Sequence, residues 1–406
     1  MDLPSSILAL PVALPMLFAA LLLAFSRVRG IRNNRIQRIV ALVALVLNLG
    51  VAVSILVATT QGERMVHQMG LWPAPYGITI IADALSGIML TATAILALVL
   101  LPFSVATIDL HRERFGYYPL TLFLIMGVNG AFISGDLFNL YVFFEVLLMS
   151  SFVLMTLGGT PNQINGGIRY VVLNLLTSLM LLTAAGIAYG SLGTLNFAHM
   201  AMRLESAPLM IKTILAGLML ISFGGKAALF PLFFWLPASY HTPHPAVTAL
   251  FGGILTKVGV YTLFRTFPLL FPDILIGWQP LLFVIAGLTM TIGVLGAFAQ
   301  PTIRRLLSFH IISQVGYMIM GLALAVSDSR FGVSFGLAAA IIFVVHNMLV
   351  KTALMMAGGA VELEMGSGNL SAIGGLASRQ PYLATLFFVA AFSLAGLPPS
   401  SGFGGK

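Results

Sequence analysis

The sequence predicts an all-α polytopic membrane protein, and three observations carry that prediction. Of the 406 residues, 59% are hydrophobic and only 8% are charged, whereas a soluble domain carries roughly 25% charged residues. Mean hydropathy is +1.02, so the solvent must be mostly lipid. The apolar runs reach about 18 residues or more and lack the period-two alternation of barrel strands. Inside lipid every backbone polar group must bond within the protein, and helices do this segment by segment.

Twelve apolar runs read as spans. Spans 1 to 4 cover 5–26, 36–60, 79–103 and 117–134, and spans 5 to 8 cover 136–159, 168–190, 208–237 and 244–267. Spans 9 to 11 cover 277–299, 303–326 and 332–358, and span 12 starts at 381 and is cut by the end at Lys406. Span 1 lacks a basic leader and a small-residue cleavage site, which argues for a retained helix over a signal peptide.

Basic residues set the orientation. The loops after odd-numbered spans hold Arg27, Arg29, Arg32, Arg35, Arg38, Arg112, Arg114, Arg169, Arg304, Arg305 and Arg379. The loops after even-numbered spans hold Arg64, Arg203, Lys212, Arg265 and Arg330. The excess makes the odd loops cytoplasmic and the N-terminus outward. The net charge of +8 is therefore read as topology and not as a nucleic-acid surface. With no cysteine, disulfides and thiolate metal sites are excluded, and no cofactor is expected.

Two spans look broken. Span 7 reads Gly224-Gly225-Lys226 and then Pro231, with Pro237 beyond; span 12 reads Gly396-Leu397-Pro398-Pro399 and ends Gly404-Gly405-Lys406. Proline removes a backbone donor, and membranes tolerate broken helices only beside protein or a wet cavity. Two breaks, each beside Gly-Gly-Lys, point to an internal repeat of the kind transporters use. The end at Lys406 predicts an incomplete second repeat.

A charge at the bilayer centre costs roughly 2.5–3.5 kcal/mol on insertion scales, so buried ionisable residues are functional candidates by default. Glu145 is the one acid in the middle of an apolar run, and Lys226 precedes the span 7 break. A carboxylate and an ammonium in low dielectric hold each other ionised, and opening such a pair releases a proton. The alternative is a static ion pair. Lys257 lies about nine residues into span 8, roughly 13 Å deep, too deep for easy snorkelling. His346 and Lys351 share span 11 but diverge by about 140°, so they suit successive links of a chain. His241 and His244 lie at the turn between spans 7 and 8, where Pro243 and Pro245 disfavour a metal face; proton uptake suits them better. His310 is either a relay member or a satisfied polar residue. Asp83 and Asp136 sit at helix starts and read as caps.

The run Gly135-Asp136-Leu137-Phe138-Asn139-Leu140-Tyr141-Val142-Phe143-Phe144-Glu145 resembles span 5 of the antiporter-like subunits shared by respiratory complex I and Mrp-type sodium/proton antiporters. So do Lys226 before Pro231, the segment His244 to Leu250 leading to Lys257, and Gly396 to Phe403. The segment Ser308-Phe309-His310-Ile311-Ile312-Ser313-Gln314 is most similar to the Mrp D subunits. The resemblance implies 14 helices, of which about 12 lie here, with two inverted five-helix repeats. Residues 1–110 would hold the three N-terminal helices, 117–267 the first repeat and 277–406 the second, cut short. It further implies a proton relay of Glu145, Lys226, Lys257, His346, Lys351 and Lys406. The implied protein is one member of a hetero-oligomeric sodium/proton antiporter in the cell (inner) membrane, a transporter and not an enzyme. Two other readings stay open here: a proton-pumping subunit of a complex I-like NADH:quinone oxidoreductase or membrane hydrogenase, and a non-conducting membrane scaffold.

Overall fold

The computed structural model describes residues 4–26, 34–325 and 335–405. Lys406, Arg27, Arg29, Arg32 and Arg330 lie outside the described residues. The apolar runs fold as helices: α1 Leu10–Ser26, α2 Asn34–Thr60, α3 Ala84–Thr107, α4 Tyr117–Ile133, α5 Leu137–Thr156 and α6 Pro161–Leu192, followed by α7 Leu209–Ala227, α8 Pro245–Leu270, α9 Gln279–Phe298, α10 Ile303–Leu324, α11 Phe335–Met365 and α12 Pro381–Ala395. Ten segments are long and apolar enough to cross a membrane, while α4 and α12 are shorter apolar helices. The chain is an α-helical multi-pass membrane protein with about ten candidate spans among the described residues.

Several boundaries differ from the sequence expectation. Residues 79–82 are not the start of span 3. They form strand β2 (Thr79–Ala82), antiparallel to β1 (Met65–Gln68). Apolar Ile80 and Ile81 extend the run in sequence, but Asp83 starts the helix by accepting a 3.0 Å bond from the Ser86 N–H. Span 6 begins earlier, at Pro161, under a capping box formed by Thr160 and Gln163, which draws Arg169 into the helix. Arg38, Lys212, Arg265, Arg304 and Arg305 also lie within helices and not in loops.

Polar contacts sort the connections onto two faces. On the odd-loop face, Arg38 Nε donates 2.8 Å to Glu113, His244 meets the Thr107 carbonyl, and Arg304 reaches both Pro243 and Glu362. On the even-loop face, Ile80 pairs with Ser134, Asn196 donates to Thr79, and Arg265 clamps Asp83. Sequential helices therefore alternate in direction.

One arrangement occurs twice. The N-terminus of α5 pairs with the segment after α6 through an Asp136–Asn196 bridge, with Leu137 donating to Leu195 and Phe197 to Gly135. The N-terminus of α10 pairs with the segment after α11 through a Thr302–Asn369 bridge, with Ile303 donating to Gly368 and Leu370 to Pro301. In α4 a Cβ at Gly127 or Gly130 would collide with Leu147 or Phe143 of α5. In α9 a Cβ at Gly293 or Gly296 would collide with Ser313 or Phe309 of α10. The first pairing lies on the even-loop face and the second on the odd-loop face.

Helix α8 is the axis of the molecule. Its whole spanning window is buried, and it packs against α3, α4, α7, α10 and α11. Gly259 lets α7 approach closely: an added Cβ would lie 2.6 Å from the Ala227 nitrogen.

Candidate functional site

Both expected helix breaks are present. Helix α7 ends at Ala227, ten residues before the expected 237, with Ala228 left-handed at φ 63. The freed backbone groups are satisfied locally. Leu229 N–H donates to the Gly224 carbonyl, the Trp235 indole to the Gly225 carbonyl at 3.0 Å, and Phe230 N–H to Thr289 Oγ1 of α9 at 3.1 Å. The chain then crosses Pro231 and makes a one-turn helix, Trp235–Ser239. Helix α12 ends at a left-handed Gly396, passes Pro398 and Pro399, and resumes as Ser401–Gly405.

Lys226 sits in the last turn of α7, 6% exposed. Its ammonium donates 2.8 Å to Ser178 Oγ on α6 and stands 4.8 Å from the Phe144 ring centroid. The expected ion pair with Glu145 is not among the ion pairs of the described residues. Glu145 is half-buried on α5, one residue beyond Phe144, and its Oε1 is buried without a hydrogen-bond partner. A cavity of about 10 Å³, lined by Phe144, Tyr170, Asn174, Lys226, Trp235 and Leu255, lies beside the ammonium. That is about the space one water needs.

Lys257 is fully buried near the middle of α8, and its ammonium donates 2.6 Å to the Gly252 carbonyl. Measured from Pro245 it is twelve residues in, about 18 Å, three residues more than the nine expected. Thr256 beside it has a buried hydroxyl without a partner. Across from α8, His346 and Lys351 are buried on α11. His346 Nδ1 lies 3.0 Å from Ser401 Oγ, which links α11 to the segment beyond the α12 break. Four residues before Lys351, and so on its face of the helix, Asn347 is fully buried with neither amide atom hydrogen-bonded. Sequence reasoning passed over Asn347 and Ser178; the four-residue spacing to Lys351 was the available signal for Asn347, and none marked Ser178. Lys406 lies outside the described residues.

The other three candidate histidines, His241, His244 and His310, have structural partners. His244 caps α8: its Nδ1 accepts from Ala246 N–H at 3.3 Å, and its Nε2–H donates to the Thr107 carbonyl at 3.1 Å. Burial, with Arg112 nearby, pushes this imidazole down to about 4. His241 Nδ1 donates 2.9 Å to the Pro237 carbonyl, and burial and Arg305 lower its pKa too. His310 is half-buried, 3.3 Å from Gln314 Nε2.

Asp136 and Asp83 are caps, as expected. Asp136 accepts from the Phe138 and Asn139 N–H groups at 2.9 Å, and burial raises its pKa against those bonds. Burial alone would raise the Asp83 carboxyl, but the Arg265 guanidinium overrides this and holds it below the usual range.

Comparison with known proteins identifies the family. The profile of the family described as "NADH:quinone oxidoreductase/Mrp antiporter, TM" matches residues 134–406. The chain is 40% identical to the D subunit of the Na(+)/H(+) antiporter of Alkalihalophilus pseudofirmus over 403 residues, 99% of this chain and 79% of the relative. It is 39% identical to the D subunit of the Na(+)/H(+) antiporter of Bacillus subtilis, over 98% of this chain and 78% of that one. The solved structure of the Mrp complex from Dietzia sp. DQ12-45-1b superposes with a TM-score of 0.89 at 35% identity, covering all of this chain and 73% of that one. The chain belongs to the family of Mrp sodium/proton antiporter D subunits, whose membrane domain is shared with complex I.

Proposed function

We propose that this chain is the proton-translocating D subunit of an Mrp-type multisubunit antiporter in the cell membrane. It moves protons along Glu145, Lys226, Lys257, His346, Lys351 and Lys406 in exchange for sodium carried by the complex. The observation that carries this reading is the row of ionisable side chains buried across α7, α8 and α11. Lys226, Lys257, His346 and Lys351 are all at most 6% exposed, where an unneeded charge is costly. The hydroxyl of Ser178, the cavity beside Lys226 and the amide of Asn347 supply polar stepping points between them. The partners follow from the relatives, which are named as antiporter subunits and as part of an Mrp complex.

The odd-loop face is cytoplasmic and the N-terminus outward, supported by the excess of basic residues on odd loops. Residues 117–267 and 277–406 form two inverted repeats after the N-terminal unit 1–110, giving 12 spans of an expected 14. The paired junctions at Asp136–Asn196 and Thr302–Asn369, on opposite faces, support that plan. The repeats are not identical in chemistry, because Lys226 precedes its break whereas Lys406 follows the Pro398-Pro399 break.

The test uses everted vesicles holding the full complex. Glu145→Ala and Lys226→Ala, each at wild-type assembly, abolish sodium-dependent pH exchange. Intact exchange in both variants sinks the relay.

A further inference from the structure

Helix α8 carries Lys257, Tyr261 and Arg265 at four-residue intervals, which sets all three on one stripe. The lysine is drawn towards Gly252 and thus towards the odd-loop end. The other two residues belong to a network at the even-loop end. Arg265 Nη2 donates 2.8 Å to Asp83 Oδ1 and 2.8 Å to Ser86 Oγ, while Nη1 donates to Asp83 Oδ2. The Tyr261 hydroxyl donates to the Phe132 carbonyl, accepts from Arg265 Nη2 at 3.1 Å, and meets Ser86 Oγ at 3.1 Å. Asp83 is 29% exposed and Arg265 16%, whereas Ser86 and Tyr261 are buried. A polar chain therefore runs from the wet face to within one turn of Lys257, about 6 Å along the axis.

Such a chain beside a titratable lysine would leak protons unless something in it repels them. A guanidinium stays charged at any working pH. Bidentate pairing to a carboxylate fixes its position as well as its charge. A fixed arginine across a polar path excludes protons and cations electrostatically.

We propose that Arg265, held in place by Asp83, is a fixed-charge barrier that seals the even-loop end of the polar path above Lys257. Lys257 then exchanges protons with the odd-loop side and with its relay neighbours, and not directly with the opposite face. This inference rests on the reading of Lys257 as a relay member. The competing view is that the ion pair only ties α3 to α8.

The test measures passive proton leak in proteoliposomes holding the full complex, under a pH gradient and without sodium. Arg265→Gln removes the charge, Arg265→Lys keeps it, and Tyr261→Phe keeps it while removing the bridging hydroxyl. Two turns of helix separate Lys257 from Arg265, about 12 Å. At an effective dielectric of about 20 the repulsion is about tenfold in occupancy, and Asp83 offsets part of it. Leak therefore rises about three- to tenfold in Arg265→Gln and stays at the wild-type level in Arg265→Lys and Tyr261→Phe. Wild-type leak in Arg265→Gln overturns the barrier, as does equal leak in the Gln and Lys variants. If Arg265→Gln does not assemble, Arg265→Gln combined with Asp83→Asn removes the guanidinium without leaving a lone carboxylate, and a wild-type leak there overturns the barrier as well. Adding Lys257→Met to Arg265→Gln restores the wild-type leak. A leak that persists without Lys257 overturns the barrier alone, whereas coupled exchange that survives in the single Lys257→Met variant overturns the relay.

Discussion

Replacing Gly259 with alanine presses on a place where α7 and α8 meet backbone to backbone. The added Cβ would lie 2.6 Å from the Ala227 nitrogen, 2.9 Å from the Phe223 oxygen and 3.0 Å from the Lys226 carbonyl carbon. Carbon contacts settle near 3.5–4.0 Å, and none of these three atoms can rotate aside. Helix α7 must therefore back away by roughly 0.5–1 Å just where it carries Lys226. Overpacking of this kind costs about 1–3 kcal/mol, which a large buried bundle survives. A shift of about 1 Å in a reacting group can cost about a hundredfold in rate, so exchange suffers far more than assembly. The assay pairs the amount of chain co-purifying with the complex against the initial rate of sodium-dependent pH exchange per complex in everted vesicles. Gly287→Ala is the control, because no atom lies within 4 Å of its Cβ position. Wild-type exchange by well-assembled Gly259→Ala would refute the claim that the fit of α7 on α8 sets the position of Lys226.

Two further outcomes follow from the termini around the first break. Ala228→Gly relieves a left-handed alanine worth about 1–2 kcal/mol, and raises the thermal midpoint of the purified complex; an unchanged or lower midpoint contradicts the strain. The neutral His244 ring caps α8 with a pKa lowered to about 4, so the unfolded chain takes up the proton first as pH falls. The cap's contribution is complete above the ordinary histidine value, about 6.5, and is lost as pH drops from there towards 4. His244→Asn keeps a cap acceptor and flattens that part of the stability–pH curve; an unchanged slope removes His244 as its cause.

Much of the fold could be read from the sequence because lipid leaves few options. Apolar runs marked the helices, with misses of seven to ten residues at the start of α6 and the ends of α7 and α11, and Gly-Gly-Lys before Pro231 marked the first break. The errors came where a side chain's meaning depends on a distant partner. Glu113 is not marked out in the sequence, because it stands between Arg112 and Arg114 in a short connection. In the fold it is fully buried, bonded to Arg38 Nε at 2.8 Å and to Tyr118 at 2.6 Å. Arg265 reads as a loop residue marking topology, yet Asp83, 182 positions away, draws it into the even-loop network. Glu145 and Lys226 were identified one by one as buried charges. Their expected pairing failed because the Phe144 ring and Ser178 take the places beside the ammonium. The paired helix junctions escaped notice because Asp136 and Thr302 share a position but not a side chain.

The central claim is that protons pass through the buried lysine of α8. The most direct measurement is sodium-dependent proton exchange by the full complex carrying Lys257→Met, at confirmed wild-type assembly. Methionine approximates the length of the lysine stem and cannot take a proton, so exchange falls to the level of vesicles without the complex. Exchange at the wild-type rate would contradict the account.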